Sequence, residues 1–148
     1  MDQFITEYSL SALFLLSFGA STLIPLGSEW LLALLIADGL PLSHVVLVAT
    51  IGNFLGACTT YLIGIWGADF VVSKLLRISS EKSNKAQQTF RKWGVWSLFF
   101  SWLPIIGDPL CLAAGIFKTN PFIFSIIVIT GKALRYIFVA WVISSTVT

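Results

Sequence analysis

The apolar stretches of this chain come in two lengths, and that difference limits its fold more than anything else in the sequence. Two runs, roughly residues 45–65 and 122–144, are long enough to cross a bilayer as single helices, which takes about 20 apolar residues at about 1.5 Å rise each. The others are short and come in broken pairs. Residues 10–24 run into Pro25 and resume at 30–37, and residues 95–106, interrupted by Pro104, run into Gly107-Asp108-Pro109 and resume at 110–117. Inside a bilayer every backbone amide must find an internal partner, so short interrupted runs read as re-entrant helical hairpins. For residues 10–24 a tilted full crossing stays open.

Charge agrees with a bilayer as the solvent. Only 11% of residues are charged and 57% are apolar, whereas charged residues make up about a quarter of a soluble domain. Asp2 and Glu7 stand where a secretory signal would carry positive charge, so the first segment is expected to remain. Six of the nine basic residues (Lys74, Arg77, Lys82, Lys85, Arg91, Lys92) fall between the two halves, with Glu81 the one acid among them. The positive-inside rule makes this loop, residues 71–92, cytoplasmic. Within it Ala86, Phe90 and Trp93 recur at helical spacing, which fits either a helix lying on the anionic leaflet or a solvated linker.

The two hairpin regions match at an offset of 79 residues. Pro25-x-x-x-Glu29 falls on Pro104-x-x-x-Asp108, and Gly52 and Asn53 fall on Gly131 and Lys132. The expected fold is therefore an all-α integral membrane protein in one domain, built from half-repeats at roughly 8–70 and 93–148. Each half is one re-entrant hairpin and one transmembrane helix. An odd number of crossings per half inverts the second half relative to the first, an architecture shared with many secondary transporters.

This arrangement brings Glu29, Asn53, Asp108, Lys132 and Arg135 toward the membrane interior. A charge at the centre of a membrane helix costs about 2.5–3.5 kcal/mol. Four unpaired charges would thus cost on the order of 10 kcal/mol, comparable to the stability of a whole domain. Pairing is expected, with Asp108 and Arg135 as the favoured pair. Asp108 between Gly107 and Pro109 also reads as a helix N-cap, and Ser28 and Glu29 can serve likewise in the first half. Two helix N-termini near two basic side chains make an anion-binding environment. Protonation of Asp108 or Glu29 would release Arg135 or Lys132 to bind a phosphate.

The remaining features suggest packing. Gly52 and Gly56 supply small residues where helices approach closely. Cys58 and Cys111 read as buried apolar groups, His44 is given no role, and the tryptophans sit near segment ends as interfacial anchors. The sequence carries no nucleotide-binding loop and no cluster of metal ligands, so no cofactor and no nucleic-acid partner are expected.

The runs SWLPIIGDPLCLAAGIF and GKALRY, with IPLGSEWLLALL and GNFLG before them, resemble the YqaA branch of the DedA superfamily, whose shared module is the VTT domain. The resemblance covers nearly the whole chain. It implies a bacterial inner-membrane protein with two inverted re-entrant hairpins that transports lipid, as a flippase or scramblase for phospholipid or polyprenyl phosphate. Glu29 matches the family's acidic position in the first hairpin. Where typical members carry arginines three residues before and after the second proline, this chain has Ser101 and Gly107. Asp108, Lys132 and Arg135 look like the branch's own set, and the resemblance leaves the substrate open.

The leading expectation is a non-enzymatic, multi-pass transporter whose partners are membrane lipids, with protons as the coupling ion and a homo-oligomer supplying a larger cavity. A proton-coupled carrier of a small soluble solute needs the same buried charges. A non-transporting membrane scaffold would use them only to fix packing. An intramembrane acid protease built on Glu29 and Asp108 is disfavoured, because neighbouring bases would keep both carboxylates ionised.

Overall fold

The computed structural model describes residues 3–21, 28–70, 80–103 and 106–147. Pro25 and Pro104, the expected helix breaks, lie outside these residues. Every regular element among the described residues is helical: α1 (Gln3–Ala20), α2 (Ser28–Ala37), α3 (Leu42–Phe70), α4 (Ser80–Thr89), α5 (Val95–Ser97), α6 (Gly107–Ile116) and α7 (Pro121–Val147). Two of them, α3 and α7, are long and apolar enough to cross a membrane, and α2 and α6 are short apolar helices. The two classes of apolar run thus become two classes of helix.

The 79-residue offset holds for element boundaries as well as for residue types. Helix α2 spans Ser28–Ala37 and α6 spans Gly107–Ile116, so both of their ends are 79 positions apart, and α3 starts at Leu42 where α7 starts at Pro121. Even the helix ends are built alike. Gly39 at the end of α2 has φ 87°, and Lys118 at the end of α6 has φ 49°. Gly39 N–H donates to Ile36 C=O (3.0 Å) and Leu40 N–H to Leu35 C=O (3.1 Å), while Lys118 N–H donates to Gly115 C=O and Thr119 N–H to Ala114 C=O (both 2.9 Å). Each is a left-handed cap that satisfies the last carbonyls of a helix.

By contacts the chain divides into two units, one of Met1–Gly56 with Ile129–Thr148 and the other of Ala57–Val128. The first holds α1 and α2, the second α4, α5 and α6, and each takes a part of both long helices. In the first unit, Leu13, Leu32, Leu35, Leu40, Val45, Val46, Ala49, Tyr136 and Ala140 form a closed core. Helix α1 lies directly on α3 through the expected glycines. A Cβ on Gly52 would meet the Phe14 carbonyl oxygen at 2.6 Å, and one on Gly56 would strike the Phe18 carbonyl oxygen and meet Ser21 Cβ at 2.8 Å. Small residues four apart open a groove that takes the facing backbone.

In the second unit the same device joins α3 to α6, where Gly64 and Gly115 pack on each other's helix backbone. Tyr61 stacks on Phe124 with ring centroids 4.4 Å apart and donates to the Thr119 carbonyl. Cys58 is half-buried and Cys111 buried, and neither is in a disulfide.

Two local expectations change. Asp108 is not the N-cap of α6, because Ile106 holds that position with helical backbone and α6 starts at Gly107. The cause is Gly107, whose N–H already donates to Leu103 C=O (3.0 Å) and whose Cα sits where a side chain would strike the Ser101 carbonyl. The chain is helical before it reaches the acid. Asp108 and Pro109 fall instead in the first turn, where a carboxylate meets the positive end of the helix and a missing N–H leaves no bond unmade. In the basic loop, α4 is a polar helix that continues into a π-helical turn at Phe90–Gly94. Phe90 stacks on Phe117 (4.6 Å) while Trp93 stays 67% exposed, so Phe90 and Trp93, expected on one stripe, part at that turn.

Large apolar side chains occupy much of the surface, and several polar side chains are buried beside the apolar core. Trp66, Ile126, Phe138, Trp141 and many other large apolar side chains are exposed, and all six tryptophans are among them, whereas Ser17, Ser21, Ser28, Asn53 and Lys132 are buried. An exposed apolar surface of that extent around buried polar groups is informative, because isolated exposed apolar residues are ordinary and continuous ones are not.

Candidate functional site

Helix α7 carries Lys132, Arg135 and Tyr136 at i, i+3 and i+4, and that spacing places the three side chains on one helix face. All three reach polar partners within the first unit, and two of them share Asn53. Arg135 forms an ion pair with Glu29 in the first turn of α2. Lys132 Nζ donates to Ser21 Oγ (3.0 Å), just beyond α1, and to Asn53 Oδ1 on α3. Tyr136 Oη lies 2.9 Å from Ser28 Oγ at the start of α2 and accepts from Asn53 Nδ2 at 2.9 Å.

Asn53 joins these contacts into one network. Its amide has a single orientation that serves both neighbours, with oxygen toward the Lys132 ammonium and nitrogen toward the Tyr136 phenol. That leaves the phenol's own proton available to Ser28. The chain of contacts runs from Ser21 through Lys132, Asn53 and Tyr136 to Ser28, and it ties the end of α1, the start of α2, α3 and α7 together.

Exposure separates the charges. Lys132 is 3% exposed and Tyr136 fully buried, whereas the side chains of Arg135 and Glu29 are 14% and 30% exposed. The ammonium is buried and donates to a hydroxyl and an amide oxygen, and the guanidinium faces a carboxylate at a partly exposed position. A guanidinium there can exchange a carboxylate for a phosphate, since both accept its paired N–H groups in the same planar geometry.

Of the sequence-derived candidates, Glu29, Asn53, Lys132 and Arg135 come together in the first unit. Asp108 lies half-buried at the start of α6 in the second unit. The sequence favoured Asp108 as the partner of Arg135; the acid on Arg135 here is Glu29. Gly52 and Gly56 do the packing expected of them, Gly131 lies on α7 directly before Lys132, and Gly107 and Pro109 open α6. Sequence reasoning missed Tyr136, and Ser21 as well. Tyr136 was signalled by its place four residues after Lys132, and Ser21 by lying four residues after Ser17 on the side of α1 that meets the glycines of α3.

Taken together, apolar outer faces, paired short helices and an enclosed cluster of charged and hydroxyl side chains define a small helical protein of the transporter-like membrane class. The chain belongs to the VTT domain family of the DedA superfamily, whose family model matches residues 24–145. It is 39% identical over 137 residues to Inner membrane protein YqaA of Escherichia coli (strain K12), with 89% of each chain covered. A protein of Haemophilus influenzae is 32% identical over 137 residues, covering 87% of this chain and 83% of its own. Undecaprenyl phosphate transporter A of Staphylococcus aureus is 24% identical over 146 residues, covering 90% of this chain and 72% of its own. No solved structure matches the chain significantly. The relatives' names describe membrane proteins and a transporter rather than enzymes.

Proposed function

We propose that this protein is a multi-pass inner-membrane carrier that moves a lipid across the bilayer by its phosphate headgroup. The Glu29–Arg135 pair carries this reading, as a partly open ion pair in a helical body whose outer surface is apolar. Arg135 is the headgroup ligand. Glu29 holds it in the resting state and, on taking up a proton, releases it to the phosphate, which links transport to protons. Asp108 is the counterpart of Glu29 at the 79-residue offset and serves the second hairpin in the same way. The distant relative named as an undecaprenyl phosphate transporter supports a phosphate-bearing lipid.

The inverted repeat completes the proposal. It is supported by the coincident helix boundaries and caps, and by matched residues that share a core. Tyr61 with Phe124 in the second unit corresponds to Ala140 with Val45, both in the core of the first. Asn53 and Lys132 are counterparts at the 79-residue offset, and they are hydrogen-bonded to each other. Such a repeat lets two equivalent arrangements exchange across one site.

The test is translocation of fluorescent phospholipid and polyprenyl phosphate in reconstituted vesicles. Wild-type protein should move at least one of them. Loss of a charge-assisted contact worth about 1.5–3 kcal/mol should slow R135Q by about 10- to 100-fold, with E29Q losing its response to pH. No translocation by folded wild-type protein would refute a lipid carrier. Full activity in a charge-swapped E29R/R135E variant would reduce the pair to a packing device.

A further inference from the structure

Two rungs join α2 to α7 side by side. Ser28 meets Tyr136, and the next residue on α2, Glu29, meets Arg135, the preceding residue on α7. The rungs differ in kind. The first is neutral and buried, with Ser28 1% and Tyr136 0% exposed. The second is charged and partly open. The Tyr136 ring also lies beneath the guanidinium, 5.7 Å from Arg135 Cζ to the ring centroid, and its hydroxyl is fixed from the other side by Asn53 at 2.9 Å. Tyr136 therefore touches both halves of the charged rung's support, the residue before Glu29 and the guanidinium itself, without touching the carboxylate.

We infer that Tyr136 is a positioning residue that sets where the Glu29 carboxylate meets Arg135. A charged rung that opens to admit a phosphate must close again in the same register, and the neighbouring rung holds α2 on α7 while it is open. A neutral hydrogen bond suits this task, because it does not respond to a proton taken up by Glu29 and offers no competing charge to an anion. The buried ring keeps water from the hydroxyl pair, so the contact is not exchanged for solvent. What the pair does rests on the carrier reading above; where the pair is held does not.

The test is a double-mutant cycle between Tyr136→Phe and Glu29→Gln, read as thermal unfolding of the purified protein in detergent micelles, with no transport required. Phenylalanine keeps the ring and removes the hydroxyl. If Tyr136 positions the pair, E29Q lowers Tm in the Y136F background by less than half of what it does in wild type, because the ion pair is already misplaced. Ser28→Ala removes the same rung from the other helix and should reproduce that coupling, which keeps the test available if Y136F does not fold. In vesicles both variants should slow lipid translocation several-fold. Additive Tm shifts in both cycles would overturn the inference and leave Tyr136 as a core side chain, even if translocation falls. Coupled shifts with no lipid moved by wild type would retain Tyr136 and refute the carrier instead.

Discussion

Gly56→Ala tests the tightest helix contact in the first unit and reaches the polar network through it. The added Cβ would strike the Phe18 carbonyl oxygen and come within 2.8 Å of Ser21 Cβ. Neither is the free end of a flexible side chain, so α1 and α3 must separate. Overpacking of this kind costs about 1–3 kcal/mol. Ser21 moves with α1, and its hydroxyl accepts from the buried Lys132 at 3.0 Å; weakening a hydrogen bond to a charged group adds about 1.5–3 kcal/mol at most. The expected loss for G56A is about 2–4 kcal/mol. Gly67→Ala is the control, because nothing lies within 4 Å of a Cβ there on the same long helix, and alanine should stabilise it by about 0.5–1 kcal/mol. Reversible unfolding in mixed micelles titrated with denaturing detergent, followed by tryptophan fluorescence, measures both. A G56A variant within about 0.5 kcal/mol of G67A, a margin typical of ordinary surface substitutions, would refute the close α1–α3 contact and the reasoning built on it.

Two further substitutions separate packing from bonding in the second unit. Tyr61→Phe keeps the stack on Phe124 but removes the donor to the Thr119 carbonyl. It should cost about 1–2 kcal/mol, against about 3–5 kcal/mol for Tyr61→Ala; equal losses in the same unfolding assay would show that the hydroxyl carries the whole contact. Lys118→Gly should stabilise the protein by about 1 kcal/mol, because a side chain at φ 49° bears a left-handed penalty that glycine avoids. A destabilised K118G would mean that the lysine side chain makes a contact outweighing that strain.

What could be read from the sequence was what depends on distance along the chain. Run length separates α3 and α7 from α2 and α6, and the 79-residue offset locates both short helices, because insertion of a helix is decided largely within its own segment. Partner choice was not legible in the same way. Glu29 and Asp108 are both acids, four residues after a proline and 79 apart, so nothing local distinguishes them as partners for Arg135. That Glu29 reaches Arg135 is settled by how α2 packs on α7. Tyr136 was missed because an aromatic residue at helical spacing in an apolar run reads as core, which it also is; only its hydroxyl reveals the second role. The Asp108 cap failed for the opposite reason. Gly-Asp-Pro is a strong local signature, but the approach of Gly107 to the Ser101 carbonyl starts the helix early.

The division between the two bases on α7 follows from what each would have to do. A charge that holds helices together should sit deep and be tied to more than one element, and the buried Lys132 donates to a serine hydroxyl at the end of α1 and to an amide oxygen on α3. A charge that binds a passing anion needs a partner that can be displaced, and Arg135 has a carboxylate at a partly open position. Exchanging the roles fails on both counts. A lysine in the place of Arg135 would give phosphate a single point charge without the planar fork. An arginine in the place of Lys132 would bring five N–H donors and a larger planar group into an interior that holds a compact ammonium. The order of residues on this face, with the enclosed base one turn before the partly buried one and the phenol beside it, therefore ties the site's chemistry to its packing.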